Sequence, residues 1–283
     1  MDSGPSGAME RLALSVSSRP ALSRAVGRLA DLRLPGFLLR PVLRLYVRAY
    51  GVDLEEAADP VRSFRTFNAF FTRRLRAGAR PIDGGAVVVS PSDSRLRAIS
   101  PVPADGRLEQ IKGSTYSIEA LLGSAEDAAP FLGGVHATLY LSPSMYHRVH
   151  SPVDGRIGAC RHVPGRRFPV NAAGVRSVPG LFVRNERVAL LLDTEAHGPV
   201  AVVLVGAANV GRITLAPSGL EADPRRSAGR MVPAKPLPVR RGDELGAFNL
   251  GSTVVLLVAD PALVPTVAAG DVVRVGQALW RRD

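Results

Sequence analysis

Cysteine is almost missing from this chain: Cys160 stands alone among 283 residues. No internal disulfide can form, and no thiolate cluster exists to hold a structural metal; a reducing compartment follows, with Cys160 acting as a small buried hydrophobe. Aromatic residues make up only 5% of the chain, and they do not alternate with basic ones as a nucleic-acid platform requires. Acidic residues are outnumbered, 25 against 36 Lys and Arg, for a net charge of +11. Such a surface attracts polyanions. Because the basic residues concentrate before residue 81, an anionic lipid surface is the expected partner and nucleic acid is not. Long apolar runs are lacking too. Arginines interrupt every stretch before it reaches the roughly 18–20 residues of a spanning helix. If the chain meets a bilayer, it lies on it. Residues 1–8 are small, polar and acidic rather than basic and then apolar, which reads as a disordered start and not a secretory leader; Met9 is a second candidate first residue.

What is present is enough to fold. With 46% hydrophobic residues, the chain can bury a full core in one or two domains. Residues 10–50 carry a helical pattern broken at Pro20 and at Pro35-Gly36. Over 37–50, Arg40, Arg44 and Arg48 recur every fourth residue as a cationic stripe beside Phe37, Leu38, Leu43, Leu45, Tyr46 and Val47, the make-up of an interfacial helix. Pro41 suits a first turn, so this helix is expected to begin near Arg40. A second amphipathic helix is expected over 63–75, capped by Ser63 or Thr66, with Phe67, Phe70, Phe71 and Leu75 on its apolar face and Arg73, Arg74 and Arg76 at its carbonyl end. Gly78 and Pro81 end it.

From Ala86 the apolar period shortens to two. A strand at 87–89 runs into a Ser-Pro-Ser-Asp-Ser turn, and residues 112–119 lead into a short helix ending at Leu122-Gly123. A strand spans 137–141, and a hairpin joins 187–193 to 199–205. The expected architecture is α+β: an amino-terminal helical, membrane-associating region (1–81), then a mainly antiparallel, barrel-like or sandwich-like β core (82–283).

One junction in that core bears on chemistry. Gly251-Ser252-Thr253 opens the apolar run Val254 to Val258, which places a serine at a strand mouth with only glycine shielding the preceding carbonyl. Two of the five histidines, His147 and His150, lie three residues apart. On a strand they face opposite ways, so they serve different environments and do not share a metal. No metal site is expected, and His136, His162 and His197 read as hydrogen-bonded structural residues. A serine nucleophile needs a base and an orienting carboxylate. Asp93, Asp105 and Asp154 all lie near turns, and spacing leaves the choice among them open.

Several blocks, in order, resemble the bacterial phosphatidylserine decarboxylases: Arg65-Thr66-Phe67-Asn68-Ala69-Phe70-Phe71, Val89-Ser90-Pro91-Ser92-Asp93, Lys112-Gly113 through Gly123, and Tyr146 through Pro152 with its two histidines. Leu181 through Val188, Val205 through Gly211 and Leu250-Gly251-Ser252-Thr253 continue the series. The resemblance implies a pyruvoyl-dependent enzyme that makes phosphatidylethanolamine and CO2 from phosphatidylserine. Its chain would cut itself between Gly251 and Ser252 into fragments 1–251 and 252–283 that stay associated. It further implies that Ser252 becomes the covalent pyruvoyl cofactor and binds substrate as a Schiff base. His150 corresponds to the self-processing base, Asp93 to its orienting partner and His147 to the histidine of decarboxylation. The family often has glycine where this chain has Ser94, which keeps Asp105 as a competitor for the aspartate role. A peripheral position on the cytoplasmic face of the cell membrane is implied, and a homodimer is open to it. The alternatives are a pyruvoyl decarboxylase of another serine-headed lipid or a soluble amino acid, a serine hydrolase that stays whole, and a non-catalytic basic peripheral membrane protein.

Overall fold

The structure is a computed structural model that describes residues 20–111, 113–208, 212–218, 220, 229–249 and 252–282. Residues 1–9, Lys112, 209–211, Leu250 and Gly251, on which some of the expectations fall, lie outside the described residues.

The helical pattern divides where its prolines and glycines divide it. One helix spans Pro20–Ala30 and the next Gly36–Tyr50. The second begins four residues earlier than expected: Pro35, extended at φ −53° and ψ 142°, precedes its first turn, and Pro41 falls inside the helix. It ends at Gly51, whose φ of 65° is a left-handed conformation that favours glycine. Leu39 and Leu43 face inward to pack with Val52 and Phe70.

The helix expected over 63–75 is far shorter. A single 3-10 turn covers Val61–Ser63 and an α-helix only Phe67–Phe71. Phe64 between them is extended, and Thr66 caps the short helix by accepting from the Ala69 N–H at 3.0 Å. Arg73 therefore caps no carbonyl end. It is buried, lies 5.6 Å from the Phe70 ring centre and donates to the Ser144 carbonyl. The expected apolar face survives in part, with Phe70 and Phe71 both buried.

The β core is built on a nine-stranded antiparallel sheet. At its centre the strand Ser252–Val258 pairs residue for residue with Val135–Leu141 on one side and Gly198–Gly206 on the other. The hairpin expected from the sequence is there: Arg187–Thr194 pairs with Gly198–Gly206, with Thr194 opposite Gly198. The central strand is buried along its whole length. Val254, Leu256 and Val258 enter one core with Phe248, Val149 and Trp280, while Val255 and Leu257 enter a second with Leu121, Phe131 and Phe182. Burying each such side chain stabilises the fold by about 1.5–3 kcal/mol. Two three-stranded sheets add to the first core, one made of Ile213–Leu215, Glu244–Phe248 and Arg148–His150. Short helices such as Ile118–Leu122 contribute to the second. The layers stack as a sandwich and do not close into a barrel.

Helices and core meet around residues 143–148. The Tyr46 hydroxyl donates to the Pro143 carbonyl at 2.9 Å, and Arg148 Nε to the Thr72 carbonyl at 2.9 Å.

Candidate active site

Ser252 is the first residue of the central strand, flanked in register by Gly206 and Leu141. It is fully buried, and its Oγ has no hydrogen-bond partner among the described residues. A hydroxyl left in that state costs about 1–3 kcal/mol. Its neighbour Thr253 points to the opposite face of the sheet, following the strand period.

His147 is equally buried. Its Nδ1–H donates to the Met145 carbonyl at 2.8 Å, which leaves Nε2 as a lone pair, and that atom too has no partner among the described residues. The Phe71 ring lies 4.0 Å away, centre to centre. Burial lowers the His147 pKa to about 3, so the imidazole is neutral at physiological pH. Its backbone carbonyl accepts from the Phe248 N–H at 3.0 Å. The histidine is thereby tied to the segment leading to Ser252.

His150 has different surroundings: it ends the strand Arg148–His150, whereas His147 precedes that strand, so the strand alternation expected of the pair does not apply. Its Nδ1–H donates to the Gly242 carbonyl at 2.7 Å, and Nε2 accepts from the Tyr146 hydroxyl at 3.1 Å. The Tyr146 ring stacks on it with centres 5.6 Å apart. Burial lowers its pKa; the Gly242 carbonyl, Glu244 and Asp93 oppose that shift.

Asp93 belongs to the same neighbourhood, since the His150 N–H donates to the Pro91 carbonyl at 2.8 Å. Its carboxylate, however, is taken by Arg80. Nε lies 2.9 and 3.1 Å from the two oxygens, Nη2 lies 2.5 Å from Oδ2, and the Val275 N–H donates to Oδ1 at 2.9 Å. Asp93 makes no hydrogen bond to His150 among the described residues and reaches it through its charge. A cavity of about 160 Å³ is lined by Asp93, Arg80, Tyr146 and Arg73 together.

The competing carboxylates are placed otherwise. Asp105 is exposed in a turn and accepts from the Arg107 N–H at 3.0 Å. Asp154 pairs with Arg241 at 2.9 Å. The remaining histidines have structural partners: His136 at the Ser100 carbonyl, His162 at Glu186, His197 at Asp260. Burial raises the Cys160 thiol to about 12, so it stays protonated and inert.

Sequence reasoning missed Arg80, and gave Tyr146 and Asn68 no role. Tyr146 stands four residues from His150 and could have been noticed on that ground. Arg80 carries no local signal, because only the tertiary fold brings it to Asp93.

Comparison with known proteins decides the family. Residues 67–281 match the family model for phosphatidylserine decarboxylase. The chain belongs to the phosphatidylserine decarboxylase family. It is an enzyme, a carboxy-lyase of phospholipid biosynthesis. A phosphatidylserine decarboxylase proenzyme of Acidovorax ebreus (strain TPSY) is 46% identical over 270 residues, 93% of this chain and 94% of the relative. One from Anaeromyxobacter sp. (strain K) is 45% identical over 280 residues, covering 94% and 96%. Both relatives are named as proenzymes, which directs attention to the buried serine at the head of the central strand.

Proposed function

We propose that this chain is made as a proenzyme, splits itself between Gly251 and Ser252, and decarboxylates phosphatidylserine at an anionic membrane surface. The observation that carries the reading is that Ser252 Oγ and His147 Nε2 are both buried without a hydrogen-bond partner among the described residues, on segments joined by the Phe248–His147 backbone bond. A pyruvoyl group made from Ser252 fits that position: the hydroxyl has no hydrogen bond to lose among the described residues, and Gly206 beside it carries no side chain.

Self-processing starts when a base takes the Ser252 hydroxyl proton and Oγ attacks the Gly251 carbonyl. The peptide becomes an ester. Loss of the Ser252 α-proton then expels the Gly251 carboxylate, and hydrolysis of the dehydroalanine releases ammonia and leaves a ketone. His150 is the proposed base, its Nδ1–H held by Gly242 and its Nε2 presented to Tyr146. Asp93 supplies negative charge nearby and favours the imidazolium that forms. Attack on the adjacent residue is intramolecular, where good orientation is worth an effective molarity of roughly 10⁵–10⁸ M.

The ketone supplies an electron sink for the substrate amine as CO2 leaves. His147, neutral and with its Nε2 lone pair without a partner among the described residues, is the proposed substrate positioner for that step, or its proton donor once Nε2 has taken up a proton. Phe71 packs on its ring and keeps water from it.

The membrane reading rests on the helix Gly36–Tyr50. Leu38, Val42 and Leu45 share one face and are exposed, and Phe37 is 76% exposed. Arg40, Arg44 and Arg48 line a groove of about 500 Å³ with Val47 and Leu54, and none has an acidic partner among the described residues. Apolar bulk beside unpaired arginines suits an anionic bilayer surface. No helix among the described residues is long and apolar enough to cross a membrane.

Intact-mass analysis of the purified protein tests the whole reading. It should show a fragment of residues 1–251 and a 32-residue fragment (283 − 252 + 1) whose amino terminus is blocked and reacts with carbonyl reagents. A single full-length mass in active protein would refute it.

A further inference from the structure

Five residues of helix, Phe67–Phe71, reach the site at two points. Phe71 lies on His147. Three residues earlier on the same face, Asn68 touches the segment that leads to the scissile bond. Its Nδ2 donates to Asn249 Oδ1 at 2.7 Å and to Asp31 Oδ1 at 2.7 Å. Asn68 is 7% exposed and Asn249 6%.

Asn249 is held from its other side as well. Its backbone N–H and its Nδ2 both donate to the Arg212 carbonyl, at 3.1 and 3.0 Å. Arg212 Nη1 lies 3.3 Å from Asp31 Oδ2, which closes a ring of Asp31, Asn68, Asn249 and Arg212. Downstream, Ser252 is locked between two neighbouring strands. The scissile bond is thus bracketed by two anchored residues three peptide units apart.

Helix formation does not explain Asn68. Asparagine is a poor helix residue, and alanine there would favour the helix by about 0.5 kcal/mol. Packing does not explain it either: Asn68 Oδ1 is buried without a partner among the described residues, a cost an apolar side chain avoids. What the buried amide provides at this position is a donor shared by Asn249 and Asp31, the two residues that the Arg212 contacts also join.

We propose that the amino-terminal helical region is a working part of the self-processing site, with Asn68 a positioning residue that clamps Asn249 and fixes the scissile segment for attack by Ser252. The inference rests on the self-processing reading above. It adds that the cut depends on a helix far away in sequence, one that packs against the Gly36–Tyr50 helix carrying the exposed apolar face.

The test is a time course of splitting. The full-length chain and its variants are synthesised in a cell-free system, and the 32-residue fragment is followed by intact mass. Asn68→Ala and Asn249→Ala are each expected to slow its appearance about tenfold or more, since a small misplacement of reacting groups costs large factors. The double variant is expected to be no slower than the slower single, because both remove one clamp. Asn249→Gln keeps both the acceptor for Asn68 and the amide donor for the Arg212 carbonyl, and should split faster than Asn249→Ala. Wild-type splitting by Asn68→Ala, or losses that multiply in the double variant, would overturn the clamp. If Asn68→Ala gives no cooperative thermal transition, the Asn249 variants decide: equal rates for Ala and Gln overturn it, and a Gln variant faster than the Ala variant supports it. A parent chain that never splits is a separate result, and refutes self-processing itself.

Discussion

Arg80 grips both carboxylate oxygens of Asp93, with its Nε 2.9 and 3.1 Å away and its Nη2 2.5 Å from Oδ2. The same guanidinium pairs with Glu56 at 2.7 Å, and Glu56 pairs with Arg274 at 2.8 Å. An ion network therefore joins the segment before the first strand to the proposed processing carboxylate. Arg80→Met strands Asp93, which is 8% exposed, with the Val275 N–H as its remaining hydrogen bond among the described residues. The expected loss is about 3 kcal/mol of unfolding free energy, the usual result of removing one partner of a buried pair. Urea denaturation checks this, and unchanged stability would show that the pair is weakly coupled to the fold.

Ser252→Ala should remain one full-length chain without decarboxylase activity. It should also fold at least as well as its parent, because the hydroxyl has no hydrogen bond among the described residues to lose and its removal relieves a buried unpaired group that costs about 1–3 kcal/mol. A variant that is whole but misfolded would mean that the hydroxyl serves structure.

His147→Ala separates the two chemical steps. The chain should still split, while decarboxylation falls by about 10²-fold or more, the usual worth of a positioned acid or base. Fragment mass and CO2 release measure the two independently. A His147 variant that stays whole would reverse the roles proposed for the two histidines.

Stability should fall with acid well above the range in which carboxylates titrate. Burial holds the folded-state pKa of His147 near 3 and of His136 near 4, while the unfolded values are about 6.5. Between those limits the unfolded chain binds protons that the folded chain does not, so unfolding is favoured as pH drops from about 6.5. Two such groups give a slope of up to about 2.7 kcal/mol per pH unit. Chemical denaturation at pH 7, 6 and 5 measures it. His136→Asn should reduce the slope by up to about 1.4 kcal/mol per pH unit, and a flat profile would show that these histidines are accessible to solvent.

Replacing Arg40, Arg44 and Arg48 together with serine should weaken binding to phosphatidylserine-rich vesicles. At about 1 kcal/mol for each arginine near an anionic surface, the loss is about 10²-fold. Vesicle co-sedimentation at low and moderate salt checks both the loss and the reduced salt dependence. Equal binding by the variant would place the membrane contact elsewhere.

Local chemistry alone determined a good deal. The Arg187–Thr194 and Gly198–Gly206 hairpin was readable because each strand carries a short apolar run, Leu-rich in the first and Val-rich in the second, and the turn between them ends in glycine. The serine at the head of the central strand was readable for the same reason. The helix expected over 63–75 was not, because its aromatic spacing records burial of Phe70 and Phe71 rather than a continuous helix. The two histidines do have different surroundings, but the strand alternation behind that expectation does not apply, and their spacing could not tell which ring would keep a free nitrogen. That was settled by the Met145 and Gly242 carbonyls and by the Tyr146 hydroxyl, groups whose positions depend on chain folding. The Arg80–Asp93 and Asn68–Asn249 contacts span 13 and 181 residues. Sequence patterns carry the period of a single element, whereas contacts such as these exist only once separate elements have packed, so the tertiary structure alone could decide them.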